Sequence, residues 1–116
     1  MKVIIAGSRN FNDYNLLVEK CNSILTNISD NIEIVSGTAI GADQLGERYG
    51  KEKGYNIKQF PANWDEFGKK AGYIRNEQMA MYADALIAFW DGESKGTKHM
   101  IDLGKKRGLK IRIVKI

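Results

Sequence analysis

A chain of 116 residues with 43% hydrophobic side chains is long enough to bury one core and too short for two. Eighteen Lys and Arg against fourteen Asp and Glu leave a net charge of +4 with the single His neutral, a bias toward anionic partners without the basic run of a nucleic-acid arm. One cysteine excludes an internal disulfide, no Cys and His stand at zinc-ligand spacing, and neither a membrane span of roughly 18 apolar residues nor a signal peptide is visible, so a soluble cytoplasmic protein is expected.

In chain order, residues 3–6 read as a first strand and residues 13 to about 29 as a helix, with Leu17, Cys21, Ile24 and Ile28 along one apolar stripe. Cys21 on that stripe reads as a small buried hydrophobe. A second strand at 32–35 precedes a helix over 41–53, whose cationic end at Lys51 and Lys53 is closed by Gly54. A third strand at 57–60 leads into the longest connection, 61–69, which holds Pro61 and two rings, Trp64 and Phe67. Those rings either close the core, the simpler reading, or form one wall of a pocket. A helix over 70–82, a strand at 85–89, a helix over 95–107 closed by Gly108, and a strand at 111–116 complete the chain.

Alternating strand and helix predicts one α/β domain over residues 1–116, a Rossmann-like three-layer fold with a five-stranded parallel sheet and right-handed crossovers. The runs at 3–6, 32–35 and 85–89 are apolar on both faces, whereas Ile57-Lys58-Gln59-Phe60 and Ile111-Arg112-Ile113 are interrupted by polar residues and belong at the edges. The order 3-2-1-4-5 satisfies this. It puts the topological switch point, where open α/β sheets bind ligands, between the first and fourth strands.

Three strand ends lead into glycine-containing turns that open on one edge of the sheet. They are Gly7-Ser8-Arg9, then Ser36-Gly37 through Gly41-Ala42-Asp43, then Asp91-Gly92-Glu93-Ser94-Lys95-Gly96-Thr97. Glycine admits a ligand close to the backbone, and the following helix offers unpaired N–H groups to a phosphate. Any one such glycine also serves a tight turn and any one hydroxyl a helix cap; three together favour a site. Neither G-x-G-x-x-G nor G-x-x-x-x-G-K-[ST] occurs, which excludes an ordinary dinucleotide dehydrogenase and a P-loop NTPase. Arg9 and Arg75 are candidate phosphate ligands if they are not merely surface arginines. Asp43 and Asp91 are either dipole-stabilised carboxylates or ribose contacts. His99 has no partner at fixed spacing and is given no catalytic role. No metal or cofactor is required.

Ala6-Gly7-Ser8-Arg9-x-Phe11, Val35-Ser36-Gly37-x-Ala39-x-Gly41-Ala42-Asp43-x-Leu45-Gly46-Glu47-Arg48, Phe60-Pro61-Ala62-x-Trp64, Ala71-Gly72-x-x-Arg75-Asn76-x-x-Met79 and the stretch from Ala83-Asp84 to Gly96-Thr97 resemble the YspA-type members of the SLOG superfamily over nearly the whole chain. That superfamily takes its name from the Smf/DprA DNA-processing proteins and the LOG phosphoribohydrolases. The resemblance implies a Rossmann-like fold, a pocket for nucleotides or nucleotide-derived molecules, and oligomers, often dimers, that complete the pocket. LOG enzymes use an Arg followed by Lys and a Glu three residues after the Thr of their P-G-G-x-G-T-x-x-E motif. Here Arg75 matches the arginine, Asn76 replaces the lysine and Met100 replaces the glutamate, so LOG-type hydrolysis is disfavoured.

The expected function is therefore that of a sensor or sequestering protein for a nucleotide-derived small molecule, the cyclic ADP-ribose type included. Phosphate is expected against Gly7, Ser8, Arg9, Gly96 and Thr97, and the sugar or a second phosphate near Ser36, Gly37, Gly41 and Asp43, with Ala42 a further ligand-binding candidate. Arg75 and Asn76 reach in from the third helix, Asp91, Gly92 and Ser94 are further ligand-binding candidates, and Trp90 or Trp64 stacks on a base. The alternatives are a nucleoside monophosphate phosphoribohydrolase and a single-stranded DNA-binding protein. The second needs a basic groove where the sequence offers scattered lysines, so nucleic acid is not the expected partner.

Overall fold

Val3, Ile4 and Ile5 are β-branched, and they form the centre of β1 (Lys2–Gly7) in the computed structural model, which describes residues 1–28 and 31–116. The chain continues through α1 (Tyr14–Leu25), β2 (Glu33–Ser36), α2 (Ala42–Lys53), β3 (Asn56–Gln59), a one-turn α3 (Trp64–Phe67) running into a 3-10 turn (Gly68–Lys70), α4 (Ala71–Tyr82), β4 (Ala85–Trp90), α5 (Lys95–Lys106) and β5 (Lys110–Lys115). The sheet is parallel throughout, in the order β3-β2-β1-β4-β5. This is the expected three-layer α/β fold. Among the described residues no helix is long and apolar enough to cross a membrane.

Each inner strand feeds two cores by alternation. Val3, Ile5, Ile34, Ile87 and Phe89 point to the layer of α1 and α2, where they meet Leu17, Cys21, Leu25 and Tyr49. Ile4, Ala6, Val35, Leu86 and Ala88 point to the layer of α4 and α5, where they meet Met79, Ala80, Met100 and Ile101. At Gly46, the α2 backbone packs so tightly on β1 that a Cβ there would lie 2.7 Å from Ile5 Cγ2. The edge strands β3 and β5 have no fully buried residue.

Two local expectations differ from the structure. The first helix ends at Leu25, and its expected last residue, Ser29, lies outside the described residues. Thr26 closes it: its hydroxyl donates back to the Asn22 carbonyl, and Asn27 follows, both residue types that compete with helix for backbone bonds. Ile28 still packs on the core from beyond the helix. In the long connection, Trp64 and Phe67 do not close the core but stand at the two ends of α3, 51% and 40% exposed.

Candidate functional site

The site begins where β1 and β4 end side by side. A Cβ on Gly7 would sit 2.3 Å from the Phe89 carbonyl oxygen, so only glycine lets the chain pass there, and the Ser8 N–H then donates to that same oxygen at 3.1 Å. The Ser8 carbonyl accepts from Phe11 N–H at 3.2 Å and from Ala42 N–H at 3.4 Å, tying the first turn to the start of α2. Its side chain is treated differently. Ser8 is 1% exposed, and Oγ has no hydrogen bond of regular geometry, although it lies near enough to Asp91 to lower that carboxyl slightly.

Across the gap, Asp91 Oδ1 accepts from the Glu93 and Ser94 N–H groups at 2.8 Å each, and these bonds hold its carboxyl below the usual range. Ser94 caps α5: its Oγ accepts from Thr97 N–H at 3.5 Å and lies 3.0 Å from Thr97 Oγ1. Gly96 faces open space. Asn76, buried on α4, donates to the Gly96 carbonyl at 3.3 Å and lies 3.1 Å from His99 Nδ1, which fixes α4 against the first turn of α5.

The third wall comes from the turn after β2. Arg75 donates through Nη1 to the Gly37 carbonyl and through Nε to Asn76 Oδ1 at 3.0 Å. A Cβ on Gly37 would stand 2.7 Å from Asp43 Oδ2 and 2.8 Å from Arg75 Nη1, so this glycine leaves the space that both charged groups occupy. Asp43 is 6% exposed and accepts from Ala39 N–H at 3.3 Å. Burial pushes its carboxyl up to about 6, against the opposing pull of Arg75. Burial likewise lowers Arg75, with Asp43 opposing. Thr38 stands at φ +65°, costly for a β-branched residue, with its N–H bonded to Ser36 Oγ at 3.0 Å.

These walls enclose a cleft of about 430 Å³. Gly7, Ser8, Arg9, Asp43, Arg75, Asn76, Asp91, Ser94, Gly96 and Thr97 line it, all of them singled out in the sequence. The other candidates stand around it. Ser36 donates to Glu47 Oε2 at 2.6 Å, and Gly37 and Gly41 shape the loop, a Cβ on Gly41 falling 2.4 Å from the Arg9 carbonyl oxygen. Ala42 packs against Gly7, and Gly92 turns the chain at φ +85°. Trp90 is half-buried, with its indole N–H donating to the Ser94 carbonyl at 3.1 Å, and its ring packs on the core of α4 and α5. Asn10, Ala39, Met79 and Met100 line the cleft without having been marked as ligand-binding, and Met100 is 1% exposed. Glu47, which anchors Ser36 and accepts from Gln59 Nε2 at 2.8 Å, was also missed; its place one turn after Asp43 on α2 was the available signal.

The sequence model of the YspA, cpYpsA-related SLOG family matches residues 1–67. The gene 61 protein of Mycobacterium phage D29 is 32% identical over 116 residues, covering 95% of this chain and 93% of its own length. Among solved structures, DNA processing protein A (DprA) from Streptococcus pneumoniae superposes with a TM-score of 0.76 at 16% identity, over 97% of this chain and 49% of that one. DprA from Helicobacter pylori, described for its single-stranded DNA binding mode, superposes with a TM-score of 0.65 at 18% identity, over 97% of this chain and 64% of that one. This chain thus spans less than two thirds of either DprA chain, and at those identities the likeness is one of fold. With the phage relative matched end to end and the family pattern running through the turns after β1 and β2, the chain belongs to the YspA, cpYpsA-related SLOG family.

Proposed function

We propose that the protein binds a phosphate-bearing, nucleotide-derived small molecule in the cleft between β1 and β4 and acts as its sensor or sequestering protein. The observation that carries this reading is Ser8: a buried hydroxyl on the cleft wall with no regular partner is costly unless something brought from outside bonds to it. The first turn of α5 and the guanidinium groups of Arg9 and Arg75 share that cleft and favour an anion. A cyclic ADP-ribose-type signal belongs to the same chemical class.

A hydrolytic reading has one observation in its favour. Asp43 lines the cleft with a carboxyl pushed up to about 6, near the range of a general acid or base. Against it, buried Met100 supplies only a thioether where a carboxylate would stabilise positive charge.

The experiment is to incubate the protein with nucleoside monophosphates, NAD, ADP-ribose and its cyclic forms, and a short single-stranded DNA, then to identify by mass spectrometry what is retained and what is altered. Retention of an intact small molecule, lost far more for phosphorylated ligands than for nucleosides in Arg9→Ala, is the expected result. Accumulation of free base makes the protein a hydrolase. Retention of DNA alone, with steep salt dependence, replaces the small-molecule reading.

A further inference from the structure

Trp64 stands beside the cleft rather than in it. Half exposed, it lines two hollows that both reach Arg9 and Arg75, one of about 190 Å³ toward Gly72 and Tyr73 and one of about 350 Å³ toward Ile40 and Pro61. Together they continue the cleft along the sheet edge, past the two guanidinium groups.

The ring is held, not loose. Asn63 Oδ1 accepts from Glu66 N–H at 3.1 Å while its amide nitrogen donates to the Glu66 carboxylate at 3.0 Å, capping the start of α3, and the Gly68 N–H closes its end on the Trp64 carbonyl. The outer edge of the indole, Cη2, lies 3.6 Å from where a Gly72 side chain would begin, and Arg75 Nη2 lies 3.7 Å from the same point. Among the described residues no cation sits over the Trp64 ring, although Arg48 stacks on Tyr14 at 3.9 Å elsewhere. A large aromatic ring on α3, left half in water in hollows that also reach two guanidinium groups, suits a planar neutral base joined to a phosphate.

We propose that Trp64 is the base platform of a two-part site. A nucleoside phosphate would lie with its phosphate inward at Ser8 and its base outward on Trp64, the ribose crossing Arg9 and Arg75. The end of β3, from which the chain runs to Trp64, is two strand spacings from β1, about 10 Å. Free phosphate does not reach across that; a phosphate, ribose and base in line do. Trp90, the other indole, is excluded because its ring and N–H are both used within the fold.

The inference rests on the nucleotide reading of the cleft, and one titration separates the two. Ribose 5-phosphate and the four common nucleoside monophosphates are titrated into wild type, Trp64→Leu and Trp64→Phe, each variant's fold being checked by circular dichroism. Trp64→Leu should weaken nucleoside monophosphates by about 5-fold to about 100-fold and leave ribose 5-phosphate unchanged, with Trp64→Phe between. Equal losses for both ligands, or no loss for either, overturn the platform while leaving the cleft as a phosphate site. Wild type that binds neither overturns the nucleotide reading itself. Unchanged nucleotide affinity with a changed sedimentation coefficient in Trp64→Leu overturns the platform in favour of a contact between copies of the chain.

Discussion

Ser36 and Glu47 form a 2.6 Å hydrogen bond in the interior, and it decides the shape of the turn that Ser36 opens and Glu47 stands outside. The Ser36 hydroxyl gives its proton to Glu47 Oε2 and so turns its lone pairs to the Thr38 N–H, at 3.0 Å. Thr38 is thereby held at φ +65°, and the neighbouring Gly37 carbonyl is presented to Arg75. Glu47→Ala leaves a buried hydroxyl and the Gln59 amide short of their partner, and should cost about 1 to 3 kcal/mol of stability. It should also weaken any ligand that uses Arg75. Glu47→Gln keeps an acceptor and should recover part of both, measured by urea unfolding and by titration of the same preparations.

Ser8 predicts the opposite pairing of effects. Its hydroxyl contributes little to the folded state because it makes no hydrogen bond of regular geometry there, so Ser8→Ala should leave the melting temperature of the free protein unchanged or slightly raised. Affinity for phosphate-bearing ligands should fall. A variant that loses stability and binding in parallel would show that the hydroxyl is structural.

Gly96 and Gly7 should separate fold from site. A Cβ on Gly96 meets nothing within 4 Å, and the residue lies in the first turn of α5, so Gly96→Ala should stabilise the free protein by up to about 1 kcal/mol through helix propensity. The same methyl enters the cleft and should weaken ligand binding. Gly7→Ala drives a Cβ to 2.3 Å from a backbone oxygen and should fail to accumulate as folded protein. Thermal melts with and without ligand distinguish the two.

Asp43 makes stability depend on pH with a definite sign. Its carboxyl is raised from 3.8 to about 6 by burial, so between those values the folded state keeps a proton that the unfolded state has released. The stability due to the neutral carboxyl is fully present below about pH 4 and is lost as pH rises through 6, by at most about 3 kcal/mol. Asp43→Asn does not titrate. Its stability relative to wild type should therefore rise from pH 4 to 6 and level off above 7 in urea unfolding. A difference constant over that range would mean that water reaches the carboxylate.

The sheet order was readable because strand composition reports burial directly. Lys58 and Arg112 interrupt their runs, and β3 and β5 are the edges. The cleft was readable in part because strand ends at a switch point converge whatever the loops do, which brought Ser8, Asp91 and Thr97 to one place. What could not be read are facts of side-chain direction. Ser36 ends β2 and Ser8 follows β1, yet one hydroxyl is bonded inward to Glu47 and the other is left for the cleft. Trp90 and Trp64 are both stacking candidates in the sequence, and packing on the core of α4 and α5 together with a bond to the Ser94 carbonyl commits Trp90 to the fold. The short α3 was hidden because four residues carry no periodicity.

Pairing of β1 with β4 also sets the order in which the molecule can be made. The Lys2 N–H donates to the Asp84 carboxylate at 2.9 Å, 82 positions along the chain, the same separation as every pair in the β1–β4 register. A growing chain can close β1, β2 and β3 with α1 and α2 through nearby contacts, while the other edge of β1 waits for the last third of the sequence. Until β4 arrives, the turn at Ser8 has no opposing wall. A ligand held there can therefore trap only the finished chain, drawing the population toward it by mass action without speeding its assembly.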